Sequence, residues 1–162
     1  MTTRMLCLGF IAAAVLATAG AALAQTDDKA FTYAMLQEAQ GQISFAQLAQ
    51  QRAQSDTTRA LADRAYREWQ AVQTRLGGIA FAHAYPTPGA LSDAQVAVLN
   101  RLGQTQPEDF DIAYLQVLRR GIGVALTRMG DEDSTSDQDL SAFVGRTRPM
   151  FRQTRDMAGG QS

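Results

Sequence analysis

The sequence predicts an all-α fold: a four-helix bundle with a short extra helix in the connection between helix 2 and helix 4. Three observations carry this. Apolar residues recur three and four apart along most of the chain, the period of a helix with one buried face. No stretch shows the two-residue alternation of a half-buried strand. Proline and glycine gather in a few short breaks, clearest at residues 81–91 with Pro86, Pro88 and Gly89.

The first 24 residues read as a secretory signal peptide removed by cleavage. Arg4 gives a positive start, residues 6–23 are apolar and alanine-rich, and Ala22-Leu23-Ala24 places small residues where a signal peptidase cuts. The run is short for a membrane anchor, which needs about 20 apolar residues. Nothing after Ala24 is apolar for long enough to span a bilayer. Cys7, the one cysteine in the chain, lies inside this leader. The mature chain therefore has no disulfide, thiolate metal site or cysteine nucleophile. The expected location is periplasmic or secreted.

The bundle domain is expected over residues 27–158. In helix 1, Phe31, Met35, Ala39, Ile43, Ala46 and Ala49 form a stripe that Phe45 and Leu48 widen, with glutamines on the other face. Helix 2 opens at Ser55 or Asp56, either of which can cap free N–H groups. It continues through Leu61, Ala65, Trp69, Val72 and Leu76. Arg59/Asp63, Asp63/Arg67 and Arg64/Glu68 stand four apart, which assigns them to its outer face. Gly77-Gly78 ends or loosens it.

Ser92 with Gln95 makes a capping-box start for helix 3, over residues 93–102, and Gly103 stops it. Pro107 suits the first position of helix 4, which carries Phe110, Tyr114, Val117, Leu118, Ile122, Ala125, Leu126 and Met129. Gly121 and Gly123 interrupt that helix at about 1 kcal/mol each relative to alanine, so a neighbour is expected to pack closely there. Helix 5 runs from near Ser136 to about Met157, with Leu140, Phe143, Val144, Met150 and Phe151 as its apolar face. Pro149 in its interior is expected to bend it.

Charge excludes one function class. The chain has 15 basic and 16 acidic residues. Without Arg4 the balance is slightly acidic, with no basic footprint for nucleic acid. Di-metal carboxylate bundles need Glu-x-x-His on two helices; three residues after Glu38, Glu68, Glu108 and Glu132 stand Gly41, Ala71, Asp111 and Thr135. The single histidine, His83, sits beside the proline loop with no nucleophile or carboxylate partner identifiable. It is read as a solvated or loop-packing residue.

Asp131, Asp133, Thr135, Asp137 and Asp139 alternate as calcium-loop ligands do. An EF-hand needs Gly sixth and Glu twelfth, where Ser136 and Ala142 stand. The stretch is read as a solvated turn whose acids favour a helix start. Arg148, Arg152 and Arg155 recur along helix 5 and complement its negative end. No catalytic, cofactor-binding or metal-binding residue is assigned, and no cofactor. Side chains facing the bundle axis are expected to be apolar or amide-like, with nothing there able to ionise near neutrality.

Several segments together carry a family resemblance: Ile43-Ser-Phe45-Ala-Gln-Leu48-Ala49, Thr58-Arg59-Ala-Leu61-Ala62, Leu91-Ser92 through Leu102-Gly103, Phe110-Asp111-Ile-Ala-Tyr114-Leu115 and Arg148-Pro149-Met150. On these the chain resembles the bacterial domain-of-unknown-function family 4142 of exported, ferritin-like helix bundles, often described as outer-membrane or periplasmic. The resemblance covers nearly the whole mature chain and implies the fold and the location. It also implies an inward cluster of a glutamate and three histidines. Here those positions hold Gln42, Trp69, Ile122 and Thr154, so the cluster is lost. A filled core is expected in its place, with the Trp69 indole N–H bonded to a group such as Gln42 and Gly121 and Gly123 making room for the ring.

The resulting expectation is an exported, non-catalytic helical-bundle protein with a binding or structural role in the cell envelope. Its partner would be an envelope protein or a small ligand. The alternatives are a metal-binding ferritin-like protein and a carrier of a small apolar ligand.

Overall fold

The computed structural model describes the backbone of residues 13–131 and 137–160, and the side chains of 27–130 and 137–160. Among these residues the fold is all-α, with five helices: α1 Ala13–Arg52, α2 Asp56–Ala82, α3 Asp93–Gln104, α4 Pro107–Asp131 and α5 Gln138–Gly159. The first half of the segment read as a signal peptide and most of the acidic turn after α4 lie outside the described residues. No described helix is long and apolar enough to cross a membrane.

Helices α1, α2, α4 and α5 pack around one apolar core, and α3 lies against α1 and α4. The core is built where the spacing places it: Met35, Ala39, Ala46 and Ala49 of α1, Trp69 and Leu76 of α2, Phe110, Tyr114, Leu118 and Ile122 of α4, and Phe143 and Phe151 of α5 are buried. Phe31 meets Phe143 edge-on at 6.4 Å between ring centroids. Ile43 and Leu48 are half-buried against this core.

Three breaks between helices are made by specific side chains. Ser55 caps α2 by accepting the Thr58 N–H at 3.0 Å. Ser92 and Gln95 form both halves of the capping box on α3. Asp137 caps α5, accepting the N–H groups of Asp139 and Leu140 at 2.8 and 2.9 Å. Pro107 is the first residue of α4, where its missing N–H costs nothing.

Boundaries differ from expectation in four places. α1 starts upstream, at Ala13, so residues 13–24 and the bundle segment form one helix. α2 passes through Gly77-Gly78 to Ala82, because Ile79 and Ala80 bury against the core and outweigh two glycine penalties. α3 continues past Gly103 to Gln104. α5 begins at Gln138 and runs through Pro149 to Gly159.

Candidate functional site

The four inward positions named above are all buried: Gln42 is 3 % exposed, and Trp69, Ile122 and Thr154 are fully enclosed. They form two associations. On one side, Gln42 of α1 packs on Gly121 of α4, where any Cβ would overlap its amide. The Gln42 Nε2 donates to Glu38 Oε1 at 3.0 Å. On the other side, Thr154 of α5 donates to the Glu68 carboxylate, whose oxygens lie 2.9 and 2.7 Å away, and Arg64 Nε donates to the same group at 2.7 Å. Trp69, the next residue, packs on Phe151 at 4.4 Å between centroids.

This arrangement corrects three expectations. Glu68 faces inward: only 8 % of it is exposed, so an ionisable group does stand in the interior. Its contact with Arg64 is not an outer-face pair but part of a buried network with Thr154. Gly121 makes room for Gln42, not for Trp69, while Gly123 faces open space. The Trp69 indole N–H has no partner, and Gln42 gives its amide to Glu38 instead. The buried Tyr114 hydroxyl is also unpartnered, and burial alone pushes its pKa far up.

His83 has the carboxylate partner that the sequence hid. Its Nε2 lies 3.1 Å from Asp137 Oδ2, and its ring stacks on Tyr85 at 5.2 Å. The pair joins the C-cap of α2 to the N-cap of α5. Tyr85 has its pKa raised by burial first, then by the nearby charges of Asp28 and Asp137. Among the remaining turn acids, Asp139 lies 3.6 Å from Arg75, and Asp131, Asp133 and Thr135 fall outside the described side chains. Of the arginines on α5, Arg148 donates to the Met129 carbonyl, tying α5 to α4, and Arg155 reaches Asp156 at 3.4 Å. Arg152 is exposed.

Glu38 and Gln42 form the floor of a groove of about 510 Å³ between α1, α3 and α4. Phe45, Val98, Leu102 and Val117 give it an apolar wall, while Arg101 and Arg120 stand at its exposed edge. Burial raises the Glu38 carboxyl above its ordinary value; the Gln42 amide and the Arg128 charge pull it back only in part. The Gln42 carbonyl Oε1 is buried without a hydrogen-bond partner. An unpaired buried acceptor costs about 1–3 kcal/mol, and this one is enclosed where α1 meets α4.

The groove owes its shape to how α3 is held. Gln95 of α3 donates to the Gln37 carbonyl at 2.6 Å and accepts from Gln37 Nε2 at 2.7 Å. At the other end, Arg52 donates to the carbonyls of Leu102, Gly103 and Thr105 and lies over the Phe110 ring at 4.8 Å. The sequence marked neither Glu38 nor Arg52. A glutamate four residues before a glutamine, both on the edge of the apolar stripe, was the available signal. A smaller pocket beside Arg64 is lined by Leu61, Asp156 and Met157.

A family model described as a domain of unknown function, DUF4142, matches residues 13–160. No curated protein and no solved structure matches the chain.

Proposed function

The chain belongs to the DUF4142 family, and from that premise we propose an exported, non-catalytic four-helix bundle of ferritin-like type that binds a small molecule in the α1–α3–α4 groove. The observation that carries the reading is the groove floor. A solvent-open cleft of about 510 Å³ sets the Glu38 carboxylate beside an apolar wall of Phe45, Val98 and Val117. Small-molecule sites combine an apolar wall with a few fixed polar groups, and this cleft has both. The leader with Ala22-Leu23-Ala24 supports export. The four positions of the implied cluster supply an amide, an indole, an alkyl group and a hydroxyl, and the carboxylates beside them are held in hydrogen bonds to Gln42, Thr154 and Arg64, which supports binding over acid–base or metal chemistry.

Two measurements test this. The fluorescence of an uncharged polarity-sensitive dye such as N-phenyl-1-naphthylamine is expected to rise saturably with the wild-type protein and to fall back to the free-dye level with Ala94→Trp, which fills the groove from α3. Equal dye binding by both proteins, with both folded by circular dichroism, overturns the groove reading. For export, protein recovered from the periplasmic fraction is expected to begin at Gln25; uncut protein confined to the cytosol overturns it.

A further inference from the structure

We infer that the groove takes a single-chain anionic amphiphile, a carboxylate on an alkyl tail, with its head on Arg101 and its tail along Val98, Phe45 and Val117. This rests on the groove being a binding site and adds the chemical class of what it binds.

Helix contacts fix which end of the groove is which. Gln95 of α3 lies on Gln37, and Gly121 of α4 lies on Gln42, so Glu38 belongs to that end. The last carbonyls of α3 lie on Arg52, and Asp111 of α4 binds the N–H groups of Gln54 and Ser55 at 2.8 and 2.9 Å. Arg101 therefore stands toward the opposite end.

The two ends are unequally charged. Glu38 is the one acid in the lining, and the Arg128 charge acts on it, with Arg120 next to Gly121 at the same end. Arg101 has no such counterpart. Among the described residues its guanidinium makes no hydrogen bond or ion pair, and no acid lines the groove beside it. It is exposed, and a guanidinium pairs a carboxylate through two parallel N–H groups.

Between the ends, Val98 and Val117 are half-buried and Phe45 is buried, a strip that shelters an alkyl tail from water. The α4 wall from Ala113 to Val124 is about 16 Å long at the helical rise, which accommodates an extended chain. The groove volume of about 510 Å³ lies within the usual range of small-molecule sites. An alkylammonium would meet Arg101 as a like charge. An uncharged alcohol would fill the strip and leave the arginine to water.

The test is displacement of N-phenyl-1-naphthylamine from the purified protein by decanoate, decanol and decyltrimethylammonium, each below its micellar concentration. Decanoate is expected to displace the dye saturably, decanol about tenfold more weakly for want of the charge-assisted pair, and the ammonium more weakly still. Arg101→Gln, at an exposed site, is expected to bring decanoate to the affinity of decanol. Arg120→Gln, at the Glu38 end, is expected to keep the preference. A preference that survives Arg101→Gln, or that Arg120→Gln removes, overturns the placement of the head. If the dye binds but the three amphiphiles displace it alike, in another order or not at all, the amphiphile assignment is overturned and the groove reading stands. If the dye does not bind, both are overturned.

Discussion

Asp111 sits at the edge of the molecule, yet it holds the turn between α1 and α2 in place. Burial alone would raise its pKa, but the Gln54 and Ser55 N–H groups, with the Ser55 and Thr58 side chains, bring it below the ordinary 3.8. A carboxyl with a depressed folded pKa contributes stability above the unfolded value and loses it as pH falls through the folded one. Asp111→Ala is expected to lower the unfolding free energy by about 1 kcal/mol at pH 7, as loss of a cap does. Urea denaturation should show this deficit shrinking as the pH falls below 3.8 and through the lowered folded value. The residue lies in the Phe110-Asp111-Ile-Ala-Tyr114-Leu115 segment, in which Phe110 supports Arg52, Asp111 holds the turn and Tyr114 fills the core. Single residues were the least legible part of the chain. His83 and Asp137 are far apart in sequence, and nothing local announces their pairing. Glu68 was legible in principle, because Leu61, Ala65, Glu68 and Val72 follow the helical repeat of one stripe. Its charge suggested solvent more strongly than its spacing suggested the core.

Elements were legible wherever periodicity and caps agreed. The Ser92–Gln95 box, Pro107 and the apolar stripe of α1 all stand where the pattern places them. The disagreements come from glycine, whose helix penalty of about 1 kcal/mol is smaller than the gain from burying a following aliphatic residue. Gly77 and Gly78 lie in continuous helix with open space where a side chain would stand. Gly77→Ala and Gly78→Ala are therefore each expected to raise stability by about 0.5–1 kcal/mol, read as a higher urea midpoint with unchanged slope. Gly121→Ala is the opposite case, since its methyl would overlap the Gln42 amide. It should destabilise although it removes the same backbone freedom. The sign of the three substitutions separates propensity from packing.

At the scale of the whole molecule, α2 and α5 are joined by an interior polar bond as well as by apolar contact. Thr154 donates to both oxygens of Glu68, and Arg64 completes the carboxylate. A double-mutant cycle of Glu68→Gln and Thr154→Val is expected to give a coupling energy of about 1–3 kcal/mol in urea unfolding. Additive effects would mean that the two groups act independently. The class of fold followed from composition and period, while the pairing of helices did not. Which stripe meets which depends on side chains like Gln42 and Gly121, whose fit appears only when α1 and α4 come together.

The attachment of α3 has a consequence for local opening. Leu102 is the one residue of α3 that is fully buried, and the rest is moored by the Gln37–Gln95 amides and the Arg52 guanidinium. Lifting this short helix breaks these polar ties and wets Val98, Leu99 and Leu102 alone, less greasy surface than parting any two of the four long ones. Deuterium is therefore expected to reach its amides before theirs.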